Sequence, residues 1–356
     1  MISAFSFKNF TPDYNNIVDA AYNKKPARVP LYDHNISDGI IERITGKPFN
    51  YGNIKSLEDR RAYLRQSCEF YRDMGYDTVT YERCICPHLP NGGALLSHAV
   101  GAIRSREEFD KYPFEAVKDI YFMHYFEELE LLREVMPEGM KAIGGVGNGV
   151  FEIVQDLTGY IDLCYIMSDD RQLYEDLFNT VSDMMYGIWE KFMKEFSDIF
   201  CVLRFGDDLG FNTQTLIPVD DIKKLIVPNY RRFTDLVHAY NKPFLLHSCG
   251  NIFDVMDDLI EKSKINSKHS NEDNIAPFSE WVERYGDRIG NFGGIDTDVY
   301  CGADMDEVIK QTKTVLDLAD NKNGGIAIGS GNSIPDYVSI ERYLKVAQTV
   351  REHRGD

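Results

Sequence analysis

The run Phe244-Leu245-Leu246-His247-Ser248-Cys249-Gly250-Asn251 carries an imidazole and a thiol, two residues apart, into a glycine turn. A strand places alternate side chains on one face, so His247 and Cys249 point together, and both are zinc ligands. Alone, such a pair is commonly a buried strand end, so its neighbours decide. Phe205-Gly206-Asp207-Asp208-Leu209-Gly210 supplies two adjacent carboxylates, which can raise one another's proton affinity for acid–base work or cap the following turn. The stretch Lys268-His269-Ser270-Asn271-Glu272-Asp273 adds a second imidazole and further carboxylates. Gly144-Gly145-Val146-Gly147-Asn148-Gly149 matches only the first half of a dinucleotide fingerprint, and so reads as a tight strand-to-helix turn. Cys84-Ile85-Cys86 has neither CxxC spacing nor a second pair and reads as packing.

The elements that must position these groups alternate between short apolar runs and longer amphipathic stretches, the pattern of a parallel sheet with crossover helices. Strands are predicted at 27–32, 77–81, 141–145, 199–205, 243–248, 264–268, 289–293 and 325–329. Over 169–197, Leu173, Leu177, Val181, Met184, Ile188 and Phe192 recur at helical spacing. Ser105 with Glu108 and Asp304 with Glu307 fit N-terminal capping pairs, and Pro228 should kink or divide a helix over 219–240. Eight strand–helix units predict an α/β fold, a (β/α)8 TIM barrel in a single domain spanning 1–356. Residues 1–26 and 34–70 form an N-terminal helical elaboration over one end. Such barrels carry their sites at the C-terminal strand ends. There the chain places Asp33 and His34, Glu82, Asn148, Asp207 and Asp208, His247 and Cys249, His269 and Glu272, Asp296, Ser330 and Asn332.

Composition narrows the function. The net charge of -18 argues against nucleic acid. The N-terminus lacks a basic region followed by an apolar core, and no run of 18 apolar residues occurs, so no export signal or membrane span is expected. Seven cysteines suit reduced thiols rather than a disulfide framework, and a cytoplasmic location is expected.

Taken in order, Gly145-X-Gly147, Phe205-Gly-Asp-Asp-Leu-Gly210, Leu246-His247-Ser-Cys249-Gly-Asn251, Gly293-Gly-Ile-Asp296-Thr297 and Gly329-Ser-Gly-Asn-Ser-Ile-Pro335 resemble the uroporphyrinogen decarboxylase superfamily over roughly residues 20–352. The resemblance offers two reactions. Decarboxylases of the family carry an arginine-rich segment after the first strand. Here that place reads Val29-Pro-Leu-Tyr-Asp33-His34, and the Phe-Ser-Asp-Ile element is replaced by Val79-Thr-Tyr-Glu82-Arg83. An octa-anionic porphyrinogen would meet an acidic mouth. The corrinoid-dependent methyltransferase branch fits the His-X-Cys pair better. Its thiol-methylating members bind zinc through that pair and a cysteine at the last strand end, where this chain has Ser330. The Lys268-to-Asp273 segment instead looks like the O-demethylating members.

The resemblance thus implies a methyltransferase that moves a methyl group from a small methylated, methoxylated substrate to a corrinoid protein. Zinc would be the metal, with cobalamin carried by the partner. His247 and Cys249 are the expected metal ligands, with Glu272 or His269 completing the set. Asp207, Asp208 and Glu82 are expected to be catalytic, and His34, Asn148, Asp296, Ser330 and Asn332 to bind substrate. The alternatives are a carboxy-lyase using an Asp without metal, and a non-catalytic ligand-binding barrel.

Overall fold

A computed structural model describes residues 10–95, 100–322 and 324–356. Seven parallel strands form one curled sheet in sequence order: β1 (Thr78–Cys84), β2 (Lys141–Gly147), β3 (Phe200–Gly206), β4 (Phe244–His247), β5 (Ser267–His269), β6 (Gly290–Ile295) and β7 (Ile326–Ser330). Each matches a predicted apolar run. The run at 27–32 forms no regular strand, only a parallel bridge between Leu31 and Ile328. Tyr32 N–H donates to Ile328 O, and Ile328 N–H to Pro30 O. Pro30 has no N–H and cannot extend the ladder. Side chains tie this segment to β1 and to the residues before it: Thr80 Oγ1 donates to Asp33 O at 2.7 Å, and the Tyr76 hydroxyl donates to the Asp33 carboxylate. The segment therefore occupies the eighth position of a TIM-type barrel.

Inside the barrel Ile143, Val202, Leu245, Phe292 and Ala327 form a buried layer with Ile17, Ala20 and Ala21. The helix Asn15–Ala21 thus plugs the N-terminal end. It seats because Gly325 has no side chain; a Cβ there would lie 2.0 Å from Ala20 O. The helices Asp38–Thr45 and Leu57–Asp73 lie instead beside the C-terminal end of β1, where their residues share a cavity with Glu82, Arg83 and Cys84. The N-terminal elaboration therefore divides between the two ends rather than covering one.

The long helix Arg171–Phe196 buries its predicted stripe. Across 219–240 the chain makes a π-helical stretch, Ile222–Ile226, before the helix Val227–Ala239. Pro228 lacks an amide hydrogen and its ring crowds the carbonyl four residues back, which the widened turn relieves. Ser105 accepts from Glu108 N–H and Asp304 from Glu307 N–H, as the capping pairs predict. Among the described residues no helix is long and apolar enough to cross a membrane.

Candidate functional site

Leu245 and His247 share the interior face of β4, with Leu245 in the buried layer and His247 one step nearer the C-terminal mouth. His247 pairs in register with Gly206 on β3 and His269 on β5. The glycine makes room for the ring, since a Cβ at 206 would sit 3.3 Å from His247 Cδ2. On the other side His247 Nδ1 lies 2.7 Å from His269 Nδ1, and His269 Nε2 lies 2.9 Å from Ser330 O. His34 stacks on His247 with ring centroids 3.8 Å apart. Burial, reinforced by Arg204 and the neighbouring rings, holds His34 and His247 well below the usual imidazole range, and burial takes His269 to about 3.

The chain continues from His247 through Ser248 to Cys249, whose Sγ lies 3.4 Å from His247 Nε2. Asp208, from the loop after β3, accepts Cys249 N–H at 2.9 Å, and its Oδ1 lies 3.7 Å from His247 Nε2. Asp208, His247 and Cys249 each bring one ligand atom within 4.8 Å of the other two. A tetrahedral zinc at ordinary bond lengths separates its nitrogen, sulfur and oxygen donors by roughly 3.3–3.6 Å. The donor set and its spacing fit that ion. Burial and the Asp208 charge push the Cys249 thiol up; a bound cation reverses that and favours thiolate. Asn332 Nδ2 and the Ser270 hydroxyl approach Cys249 Sγ at 3.4 and 3.6 Å.

The other expected residues fall around this triad. Asp207 is fully buried and accepts from Phe151 N–H, Glu152 N–H and the Tyr230 hydroxyl, so it caps the helix Val150–Thr158. Burial takes its carboxyl to about 7. Asn148, at φ 67°, donates to Glu152 Oε2 and accepts from Cys86 N–H. Ser330 contributes its carbonyl to His269, and its N–H donates to Asp33 Oδ1 at 2.8 Å. Asp296 accepts from Asp273 and Asp298 N–H. Glu272, Asp296 and Asn332 line a cavity of about 450 Å³ beside the triad, and Glu272 is in neither of the three-residue ligand groups found among the described residues. The second such group is His34, His247 and His269.

A further cavity of about 340 Å³ opens at the end of β1, lined by His34, Tyr63, Tyr71, Glu82, Arg83 and Arg204 among others. Arg204, 1 % exposed on β3, donates to Glu82 Oε2 at 2.9 Å, Tyr32 Oη at 2.6 Å and His34 O at 3.1 Å. Sequence reasoning missed Arg204 and Glu152. A cation inside the apolar run Phe200-Cys-Val-Leu-Arg204-Phe205 was the available signal, because such a charge needs a buried partner. Glu152 Oε1 accepts Asp208 N–H at 3.4 Å, and burial with the Asp207 and Asp208 charges holds its carboxyl well above the ordinary range. Only its place beside those carboxylates reveals it.

The sequence profile described as uroporphyrinogen decarboxylase (URO-D) matches residues 54–353. The chain belongs to the uroporphyrinogen decarboxylase family. A methyltransferase from Methanosarcina mazei superposes on this family member with a TM-score of 0.71 at 14% identity, covering 98% of this chain and 100% of the other. A putative vitamin-B12 independent methionine synthase from Listeria monocytogenes gives 0.51 at 13% identity, covering 98% and 99%. Both share the fold. Among proteins of curated function no sequence match is found. Within this uroporphyrinogen decarboxylase family fold, both arginines lining the β1 cavity are committed to carboxylates: Arg204 to Glu82, and Arg83 to the buried Glu128.

Proposed function

We propose that this protein is a methyltransferase that takes a methyl group from a small methoxylated substrate and passes it to a corrinoid protein, with zinc held by His247, Cys249 and Asp208. The observation that carries the reading is the convergence of one nitrogen, one sulfur and one carboxylate oxygen at the barrel mouth. Zinc there would supply a Lewis acid that lowers the basicity of the departing alkoxide. Asp208 takes the ligand place expected of Glu272 or His269. Asp207 and Glu82 then serve as positioning carboxylates: Asp207 fixes the loop that carries Asp208, and Glu82 holds Arg204 against Tyr32 and the His34 carbonyl.

The β1 cavity suits the donor. Its arginines are already neutralised, while Tyr63, Tyr71 and Tyr81 offer aromatic surface and Thr80 and Ser67 hydroxyls. A neutral ring ether fits such a lining better than a polyanion, which would need uncommitted cations. Cobalamin arrives on a partner protein at the mouth, and the reaction belongs to a soluble, cytoplasmic enzyme in this reading.

Anaerobic incubation of the zinc-loaded protein with cob(I)alamin and a methoxyphenol tests it. Methylcobalamin should accumulate with wild type and not with His247→Ala. Release of carbon dioxide from a carboxylated substrate by metal-free protein would favour the carboxy-lyase, and absence of any turnover with ligand still bound would favour a binding barrel.

A further inference from the structure

His269 ends β5 fully buried, and both its ring nitrogens are engaged. Ser330 O, 2.9 Å from His269 Nε2, can only accept, so that nitrogen carries a hydrogen. The 2.7 Å gap between the two Nδ1 atoms holds one hydrogen. Were it bonded to His269, that fully buried ring would be an imidazolium whose hydrogen-bond partners are only another imidazole and a backbone carbonyl, a charge that burial disfavours. The neutral arrangement has His247 Nδ1–H donating to His269 Nδ1. His247 Nε2 then presents a lone pair toward Cys249 Sγ and Asp208 Oδ1, 3.4 and 3.7 Å away.

We infer that His269 is a positioning residue rather than a metal ligand: anchored by the Ser330 carbonyl, it fixes His247 in the Nδ1–H tautomer and so aims Nε2 at the candidate metal position. Its bearing on zinc rests on the proposed function, but the tautomer itself does not. Ring packing reinforces the aim, with Tyr32 edge-on to His269 at 5.2 Å and His34 stacked on His247. Metal-bound histidines ordinarily hand their second N–H to a carboxylate, a carbonyl or water. Here a neutral imidazole intervenes, and the carbonyl stands one ring further out. Ser330 thereby contributes through its backbone from the last strand end.

The test uses the full chain, metal-free and labelled with 15N-histidine, in long-range proton–nitrogen spectra at neutral pH, with signals assigned by their loss in His247→Ala and His269→Asn. The expected result is an Nδ1–H tautomer at His247 and an Nε2–H tautomer at His269. Chelator competition should then show zinc affinity lowered by roughly 10- to 100-fold in His269→Leu. His269→Asn, whose amide oxygen can replace the Nδ1 acceptor, should stay much closer to wild type. An Nε2–H tautomer at His247 in the wild-type protein overturns the inference, as does undiminished zinc affinity in His269→Leu. If that variant fails to fold, the wild-type tautomers still decide. Expected tautomers in a protein that takes up no zinc would uphold the relay and sink only the metal reading.

Discussion

Asp208 accepts the backbone N–H of Cys249 at 2.9 Å, so the loops after β3 and β4 are joined where the three candidate ligand atoms meet. Asp208 therefore has two separable roles, acceptor and charge. Asp208→Asn keeps an acceptor oxygen but removes the anionic ligand. Zinc affinity should fall by at least roughly the 10- to 100-fold that loss of an outer-shell partner costs, with the thermal midpoint nearly unchanged. Chelator competition alongside a melting curve checks this, and unaltered affinity would remove Asp208 from the ligand set.

The Arg204–Glu82 pair predicts a stability effect. The two side chains are 1% and 13% exposed, and Arg204→Met would leave Glu82 without its guanidinium and Tyr32 Oη without its donor. Breaking one member of such a pair costs about 3–5 kcal/mol. Replacing both, as Arg204→Met with Glu82→Leu, should recover a substantial part. Urea midpoints of the single and double variants measure it; a double variant no more stable than Arg204→Met would show that the stranded Glu82 carboxylate is not the source of the loss.

The seam between β7 and β1 predicts a pH effect. Burial raises the Asp33 carboxyl to about 6 from 3.8. Below about pH 4 folded and unfolded chains both hold that proton. As pH rises toward 6 the unfolded chain releases it first, so Asp33 destabilises the fold progressively, and fully above 6. Relative to Asp33→Asn, wild type should lose up to about 3 kcal/mol between pH 4 and 7. Melting both proteins at pH 4.5 and 7.5 reads the difference. A gap that stays constant with pH would contradict the assignment.

Much of the fold was legible because burial on both faces of a parallel strand leaves a near-continuous apolar run, as Phe200 to Leu203 shows. The first strand was not, because Pro30 reads as extended while denying the ladder its hydrogen bond. At the site, His247 and Cys249 were legible as neighbours because they lie two residues apart, His247 closing β4 and Cys249 just beyond its end. The third ligand was sought in Glu272 or His269; the carboxylate that the fold brings beside the pair belongs to Asp208, clamped to Cys249 by a loop contact that spacing does not encode. Asp207 and Asp208 look equivalent in sequence. The helix N-terminus at Val150–Thr158 takes one and leaves the other facing the mouth.

Zinc K-edge absorption on the purified protein, wild type beside His247→Ala, reads the proposed ligand set at the metal itself. The expected result is about one zinc per chain with a single sulfur neighbour near 2.3 Å, the rest nitrogen or oxygen, and loss of that ion in the variant. Zinc without a sulfur neighbour, or the same spectrum and content in His247→Ala, would contradict it.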